Sequence, residues 1–196
     1  FAVILSVMAL TLTPAVAGPA YDFGRKELES ILDDLSAWWP GEWSSAPQNH
    51  YELTVRMPAE GEHEPWYRTF ARIDAPQIGT HVFYGQINIG GRDGPLYSRS
   101  QVIYKATIDE SRGVVLVRGQ ALANADKFVN LQDHPELWNQ VTMRDEVINC
   151  DFIWRRDGEQ IVGVLEGRTE EKRKGGPGTC TFMSNTGKEF FADAEW

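Results

Sequence analysis

The stretch HVFYGQINIGGRDGPLYSRSQVIY (residues 81–104) decides the fold class. Two runs of β-forming residues flank the turn-forming string GGRDGP (residues 90–95), which is typical of a β-hairpin with a longer loop. Because side chains alternate between the two faces of a sheet, the hairpin is predicted to have two different faces. The aromatic and polar face carries Val82, Tyr84, Gln86, Asn88, Tyr97, Arg99, Gln101 and Ile103. The mostly apolar face carries Phe83, Gly85, Ile87, Ile89, Leu96, Ser98, Ser100, Val102 and Tyr104.

Further β-like segments lie on both sides of this hairpin, with short, turn-rich connections. We predict strands at residues 50–57, 66–73, 81–89, 97–108, 114–120, 151–156, 160–166, 180–184 and 189–194. Residues 121–149 interrupt the series and are predicted to form one or two short helices or a long excursion. Short turns between sequential strands indicate an antiparallel meander. About nine strands in up-and-down order predict a mainly β protein, a single antiparallel barrel of the calycin or lipocalin kind that can hold one small ligand.

The N-terminal part predicts an amphipathic helix preceded by an export signal. In residues 23–39 apolar side chains recur at three- and four-residue spacing, at Leu28, Ile31, Leu32, Leu35, Trp38 and Trp39. Residues 2–13 form an uncharged apolar run, followed by Pro14 and a small-x-small motif that ends at Ala17. We therefore expect residues 1–17 to be a signal peptide with a truncated basic region, and residues 18–196 to be one barrel domain. The protein is then exported to the periplasm or secreted.

Charge and cysteine usage exclude several classes of function. The net charge of −9 argues against nucleic acid or an anionic membrane surface as a partner. The mature chain has no run of roughly 20 apolar residues, so no membrane span is predicted. In an exported chain the two cysteines, Cys150 and Cys180, favour a disulfide over a catalytic thiol, since no adjacent His would support the thiol. The four histidines show no metal-ligand spacing, so no metal site is predicted.

Three stretches resemble the CpeT/CpcT family of phycobiliprotein chromophore lyases, and together they cover most of the mature chain in the family order. LSAWWPGEWSSAPQ (residues 35–48) is similar to the family's N-terminal pattern. In the hairpin the similarity lies in FYGQ (residues 83–86) and in Pro95, Tyr97, Arg99, Val102 and Tyr104. NCDFIWRRDGEQIVGVLEG (residues 149–167) and GTCTFMSNTGKEF (residues 178–190) are similar to the Cys-containing C-terminal strands. Gly85 stands where the family has Glu, and Gln101 where it has a second Arg.

The resemblance implies a calycin-like barrel that binds a linear tetrapyrrole (bilin) and assists its covalent attachment to a cysteine of a phycobiliprotein. Bilin is then the substrate or ligand, and no cofactor is implied. A bilin cavity needs aromatic walls and cations for the two propionates. The candidate walls are Tyr84, Tyr97 and Trp154, the candidate cation is Arg99, and the candidate partners of the lactam or pyrrole groups are Gln86 and Gln101. For each of them an exterior strand position is the alternative. No catalytic residue is assigned.

Three functions stay open at this stage, so we do not assign the protein as an enzyme. The first is a bilin lyase or a lyase-like chaperone, which the breadth of the resemblance favours. The second is an exported, non-enzymatic calycin-like binding protein for a tetrapyrrole or another small hydrophobic ligand, which Gly85 and the export signal favour. The third is a secreted interaction module with a filled barrel. The identity of the ligand, the phycobiliprotein acceptor and the oligomeric state, with a homodimer as one option, are also open.

Overall fold

The protein is mainly β in the computed structural model, which describes residues 24–56, 64–97, 100–169, 179–183 and 189–193. The predicted signal peptide and Arg99 lie outside these residues. Two α-helices are described, α1 (Arg25–Trp38) and α2 (Ala46–Thr54). The strands are β1 (Gly41–Ser44), β2 (Trp66–Ile73), β3 (Val82–Ile89), β4 (Val102–Asp109), β5 (Val114–Leu122), β6 (Met143–Asp157), β7 (Gln160–Gly167), β8 (Thr179–Met183) and β9 (Glu189–Asp193).

The first seven strands form one antiparallel sheet in the order β1-β2-β3-β4-β5-β6-β7. Each strand pairs with its neighbour in sequence, which is the arrangement that short turns produce. The sheet is therefore the predicted meander, and it curls into a half-barrel. Strands β8 and β9 pair with each other as a separate two-stranded sheet.

The side chain of Trp39 shows how strongly the sheet curls. Its ring centroid lies 4.9 Å from that of Phe70 on β2, and 6.4 Å and 6.2 Å from those of Phe152 and Trp154 on β6. In a flat sheet β2 and β6 would lie about 19 Å apart, because neighbouring strands are about 4.8 Å apart. One indole can contact both strands only if the sheet bends around it. The face that meets Trp39 is therefore the concave face of the half-barrel.

Helix α1 covers part of this concave face. Its buried apolar residues follow helical spacing and pack with Trp39 against Ala106, Val115 and Val117 of the sheet; they are Leu28, Ile31, Leu32 and Leu35. Each such side chain contributes roughly 1.5–3 kcal/mol when it is fully buried, which is enough to hold a 14-residue helix in place. Trp38, predicted to belong to the apolar stripe, is instead 63 % exposed. The stripe continues through Trp39, four residues after Leu35.

The predicted strand at residues 50–57 is wrong, because α2 occupies Ala46–Thr54. The alternation of Tyr51, Leu53 and Val55 indicates a strand with one buried face. All three side chains are exposed, at 63 %, 53 % and 48 %, so the alternation does not report burial here. Pro47 lies in the first turn of α2, where a proline costs no internal hydrogen bond.

Residues 123–142 cover the opposite, convex face of β3 and β4. They contain three short 3-10 helices, Ala125–Phe128, Leu131–Asp133 and Pro135–Gln140, where one or two short helices or an excursion were expected. Phe128 and Leu131 are fully buried against Val82, Tyr84 and Ile103. Because α1 and its neighbours cover the other face, the first five residues of β3 are buried on both sides.

A disulfide joins β6 to the β8–β9 hairpin. Cys150 and Cys180 are bonded with a Cα–Cα distance of 6.0 Å, so the disulfide expected from the cysteine count is present. Cys150, Cys180 and Leu165 of β7 are buried together. The bond therefore ties the separate hairpin to the end of the curled sheet.

Candidate ligand-binding site

An open cavity of about 130 Å³ lies on the concave face, beside the rings of Phe70 and Tyr104 that pack on Trp39. Its floor follows one row of register partners across three strands, Phe70 on β2, Gly85 on β3 and Val102 on β4. The residues that line it are Phe70, Gly85, Gln86, Ile87, Tyr97, Ser100, Val102 and Tyr104. The cavity is therefore mostly apolar and aromatic, as small-molecule sites usually are.

Gly85 is what lets the aromatic rings close over the floor. A Cβ atom at this position would lie 2.8 Å from Tyr104 Cε2 and 3.2 Å from Phe70 Cε1. Tyr104 in turn packs on Trp39, with the ring centroids 5.2 Å apart. Any larger residue at position 85 would push the Tyr104 ring out of this stack.

Aromatic side chains continue from the cavity toward the β1 edge of the sheet. Tyr97 packs against Trp66, with 5.4 Å between the ring centroids. Trp43 of β1 is the register partner of Arg68, which is the partner of Ile87, so this row lies on the concave face. Trp43 and Tyr97 are 51 % and 41 % exposed, so both rings are available to a ligand.

Arg68 is the cation of this surface. Its guanidinium lies 4.9 Å above the Trp66 ring, a cation–π contact, and it makes no ion pair within the described part of the chain. Burial lowers its pKa from the ordinary value, because a half-buried charge loses hydration. The side chain nevertheless stays protonated at neutral pH, since arginine does not deprotonate in proteins. A half-buried guanidinium that has no carboxylate partner is suited to bind an anion, because its N–H groups can donate to it.

Tyr104 supplies a hydroxyl in the wall of the cavity, where its ring packs on Phe70 with 5.9 Å between the ring centroids. Burial raises the pKa of Tyr104 to about 12, and the positive charge of Arg68 partly opposes this shift. At neutral pH the hydroxyl is thus protonated and can donate. No hydrogen-bond partner of this hydroxyl is found among the residues the structure describes. The cavity wall therefore has a hydroxyl donor that no described residue engages, and Arg68 lies at the border of the same cavity, directly across from Ile87.

The predicted ligand partners Tyr84, Gln86 and Gln101 come together, but on the convex side. The Tyr84 hydroxyl lies 2.6 Å from Gln86 Oε1 and 2.8 Å from the Phe128 carbonyl oxygen, and its one proton can serve either acceptor. Gln86 Oε1 also accepts the backbone N–H of Asn130 at 2.9 Å. Gln101 Nε2 donates to the Ala125 carbonyl oxygen at 2.9 Å and lies 3.4 Å from the Tyr84 hydroxyl.

These three side chains hold the 3-10 segment on the sheet. All three are buried, and burial raises the pKa of Tyr84 to about 12. Gln86 Nε2 donates to Asn88 Oδ1 at 2.9 Å and to Asn130 Oδ1 at 2.8 Å, so both ends of the amide are engaged. Their polar groups therefore already have partners inside the protein. Although Gln86 borders the cavity, its amide is committed to this convex-side network.

The other three predicted site residues are separated from this network. The sequence placed Tyr97 on the Tyr84 face, but Tyr97 lines the concave cavity. The alternation fails because β4 begins only at Val102, and the Ser100 N–H donates to the Tyr97 carbonyl oxygen instead of to a neighbouring strand. Trp154 is buried beneath α1 with Trp39, away from the cavity, and its indole N–H has no partner in the described part of the chain. Arg99 is outside the described residues.

Sequence reasoning missed the site residues on β1 and β2. Trp66, Arg68 and Phe70 alternate along β2, and this period-two pattern was a usable signal for one shared face. The pairing of β2 with β3 then brings them beside Gly85 and Ile87. That neighbour relation depends on register, which the sequence does not state. Tyr104 was placed correctly on the face of Gly85, but that face was predicted only as the mostly apolar one, and the ligand partners were sought on the other.

The fold and the cavity together define a half-barrel protein with an open aromatic cleft, bordered by Arg68, which has no ion pair among the described residues. Comparisons with protein-family models, with curated proteins and with solved structures found no match. Among the described residues, no cluster of three or more His, Cys, Asp or Glu side chains could hold a metal ion. None of the described helices has the length and apolar character of a membrane span.

Proposed function

We propose that the protein binds a linear tetrapyrrole on its concave face and assists its attachment to a cysteine of a phycobiliprotein, as a CpeT/CpcT-like chromophore lyase. The observation that carries the proposal is the aromatic cavity on the concave face with the unpaired Arg68 beside it. The proposal includes closure of the half-barrel in the calycin manner and the export that residues 1–17 indicate. The resemblance in residues 35–48, 83–104 and 149–190 supports the choice of a bilin as ligand.

The size of the cavity fits one ring of such a ligand. An apolar protein cavity of about 150 Å³ is known to hold a benzene molecule, and the cavity here measures about 130 Å³. One pyrrole ring can therefore enter beside Phe70 and Tyr104. The other rings would lie along the open surface of Tyr97, Trp66 and Trp43, where flat aromatic faces offer stacking partners.

The reaction asks the protein mainly to hold and orient the chromophore. The thiol of the acceptor adds across the ethylidene double bond of the bilin, so that a C–S bond forms and the thiol proton ends on the neighbouring ring carbon. Fixing the bilin in one geometry accelerates such an addition by proximity. Arg68 and Tyr104 are both protonated at neutral pH, so they bind and orient rather than accept a proton.

The same property favours a second candidate, a carrier that binds bilin without transferring it. A carrier needs the cavity and the cation but no base for the acceptor thiol. The two candidates differ only in the transfer step, so one experiment separates them.

The test is incubation of the purified protein with phycocyanobilin, read by visible absorbance, followed by addition of an apo-phycobiliprotein β-subunit. We expect a shifted and saturable bilin spectrum, and then covalent bilin on the acceptor in a denaturing gel. Tyr97→Ala should weaken binding, whereas the control Tyr51→Ala should not, because Tyr51 is 63 % exposed on α2 and does not line the cavity. Binding without transfer leaves the carrier, and an unchanged spectrum excludes both candidates.

A further inference from the structure

We infer that Arg68 and the Tyr104 hydroxyl together form an anchor for a carboxylate, so that the site selects planar conjugated acids over the corresponding neutral molecules. The inference rests on the proposed function, because it names the chemical class of the ligand in the same cavity. It assigns the anion-binding role to residues on β2 and β4, whereas the sequence had suggested Arg99 as the cation.

The first argument is the missing partner of Arg68. Several other arginines, among them Arg118, Arg156 and Arg168, each lie within 4.0 Å of a carboxylate. Arg68 is half-buried, and within the part of the chain that the structure describes it contacts the Trp66 ring but no carboxylate. A desolvated guanidinium is stabilised strongly by an anion, which restores the hydrogen bonds that it has lost.

The second argument is the position of the donors. Arg68 lies two residues from Phe70 along β2 and directly across from Ile87, and both of these residues line the cavity. Tyr104 forms another part of the wall and packs on Phe70, with 5.9 Å between the ring centroids, so that Tyr104 and Arg68 both flank Phe70. A carboxylate can accept hydrogen bonds from both donors. The guanidinium can donate two parallel N–H groups to it, and the tyrosine hydroxyl can donate one O–H.

The third argument concerns what surrounds the donors. Phe70 and Tyr97 line the cavity and Trp66 packs on Tyr97, so a ligand held by its carboxylate has its conjugated part against aromatic faces. The ligand class is therefore an acid whose carboxylate is attached to a flat ring system. A bilin propionate belongs to this class, as do simpler conjugated acids.

The experiment compares the affinities of phycocyanobilin and its dimethyl ester for the wild-type protein and for variants. The ester keeps the conjugated rings and removes both negative charges. We expect the free acid to bind roughly 10- to 100-fold more tightly than the ester, the range that hydrogen bonds to a charged group provide. Arg68→Gln should abolish this preference by weakening only the acid. Tyr104→Phe, which keeps the ring, should reduce the preference several-fold.

Arg155→Gln is the matched control, since it removes one exposed positive charge from the opposite face of the sheet. It should leave the preference for the acid unchanged, and urea unfolding of each variant checks that the fold is kept. If acid and ester bind equally to the wild type, or if Arg68→Gln weakens both alike, the anchor is wrong while the bilin-binding function stands. If neither compound binds, the anchor and the proposed function both fail.

Discussion

Replacing Gly85 by alanine tests the packing of the cavity floor. The new Cβ atom would lie 2.8 Å from Tyr104 Cε2, whereas ordinary contacts begin at 3.4 Å. The Tyr104 ring can be displaced only at the expense of its packing on Trp39, Phe70 and Phe152, with centroid distances of 5.2, 5.9 and 6.2 Å. Overpacking of this kind costs about 1–3 kcal/mol. Removing a glycine from the unfolded chain returns about 0.4–1 kcal/mol.

We therefore expect Gly85→Ala to lower the free energy of unfolding by about 1–2 kcal/mol, and to weaken bilin binding because the ring it displaces is a cavity wall. The assay is urea unfolding followed by tryptophan fluorescence, together with the absorbance titration. Gly79→Ala is the control: its Cβ would meet Lys105 Cε at 3.1 Å, and this exposed, flexible side chain can move. If the two variants are equally stable, Gly85 is not there to admit the rings, and the reasoning is refuted.

Three further predictions concern stability. Tyr84→Phe removes a buried hydroxyl at hydrogen-bond distance from the Phe128 carbonyl oxygen and from Gln86, and should cost about 1–2 kcal/mol in urea unfolding; a variant as stable as the wild type would contradict the network. Reducing the Cys150–Cys180 disulfide should lower the free energy of unfolding by about 3–4 kcal/mol. The control is the variant with both cysteines replaced by alanine, whose stability the reductant should not change. Burial, with a neighbouring arginine, lowers the pKa of His81 below its ordinary 6.5, so the unfolded state binds the proton more tightly. Stability should accordingly fall as the pH drops below about 6.5, and a His81→Gln variant with the same decline would contradict this assignment.

The order and type of most strands could be predicted from the sequence, because their signals are local. Alternation and turn residues locate β2, β3, β5 and β7 within one or two residues of their observed bounds. The errors occur where one local pattern serves another purpose. Exposed apolar residues in α2 alternate as they would in a strand. The strand predicted from residue 97 begins only at Val102, so the alternation read from Tyr97 onward does not give the face of Tyr97.

The candidate site was less accessible from the sequence, because it depends on which face is covered. Tyr84 and Gln86 show the aromatic and polar pattern of a cavity wall, and the 3-10 segment that covers them lies more than 40 positions further along the chain. Conversely, Arg68 on β2 and Tyr104 on β4 reach the same concave face through strand register and the curl of the sheet. Neither relation can be deduced from the spacing of residues along one strand.

The most direct test of the concave site is a crystal structure of the protein with phycocyanobilin bound. We expect one pyrrole ring in the cavity, within about 4 Å of Phe70, Tyr97 and Tyr104, and a propionate at the Arg68 guanidinium. A bilin bound instead on the convex side, beside Tyr84 and Gln86, would contradict the assignment of the site.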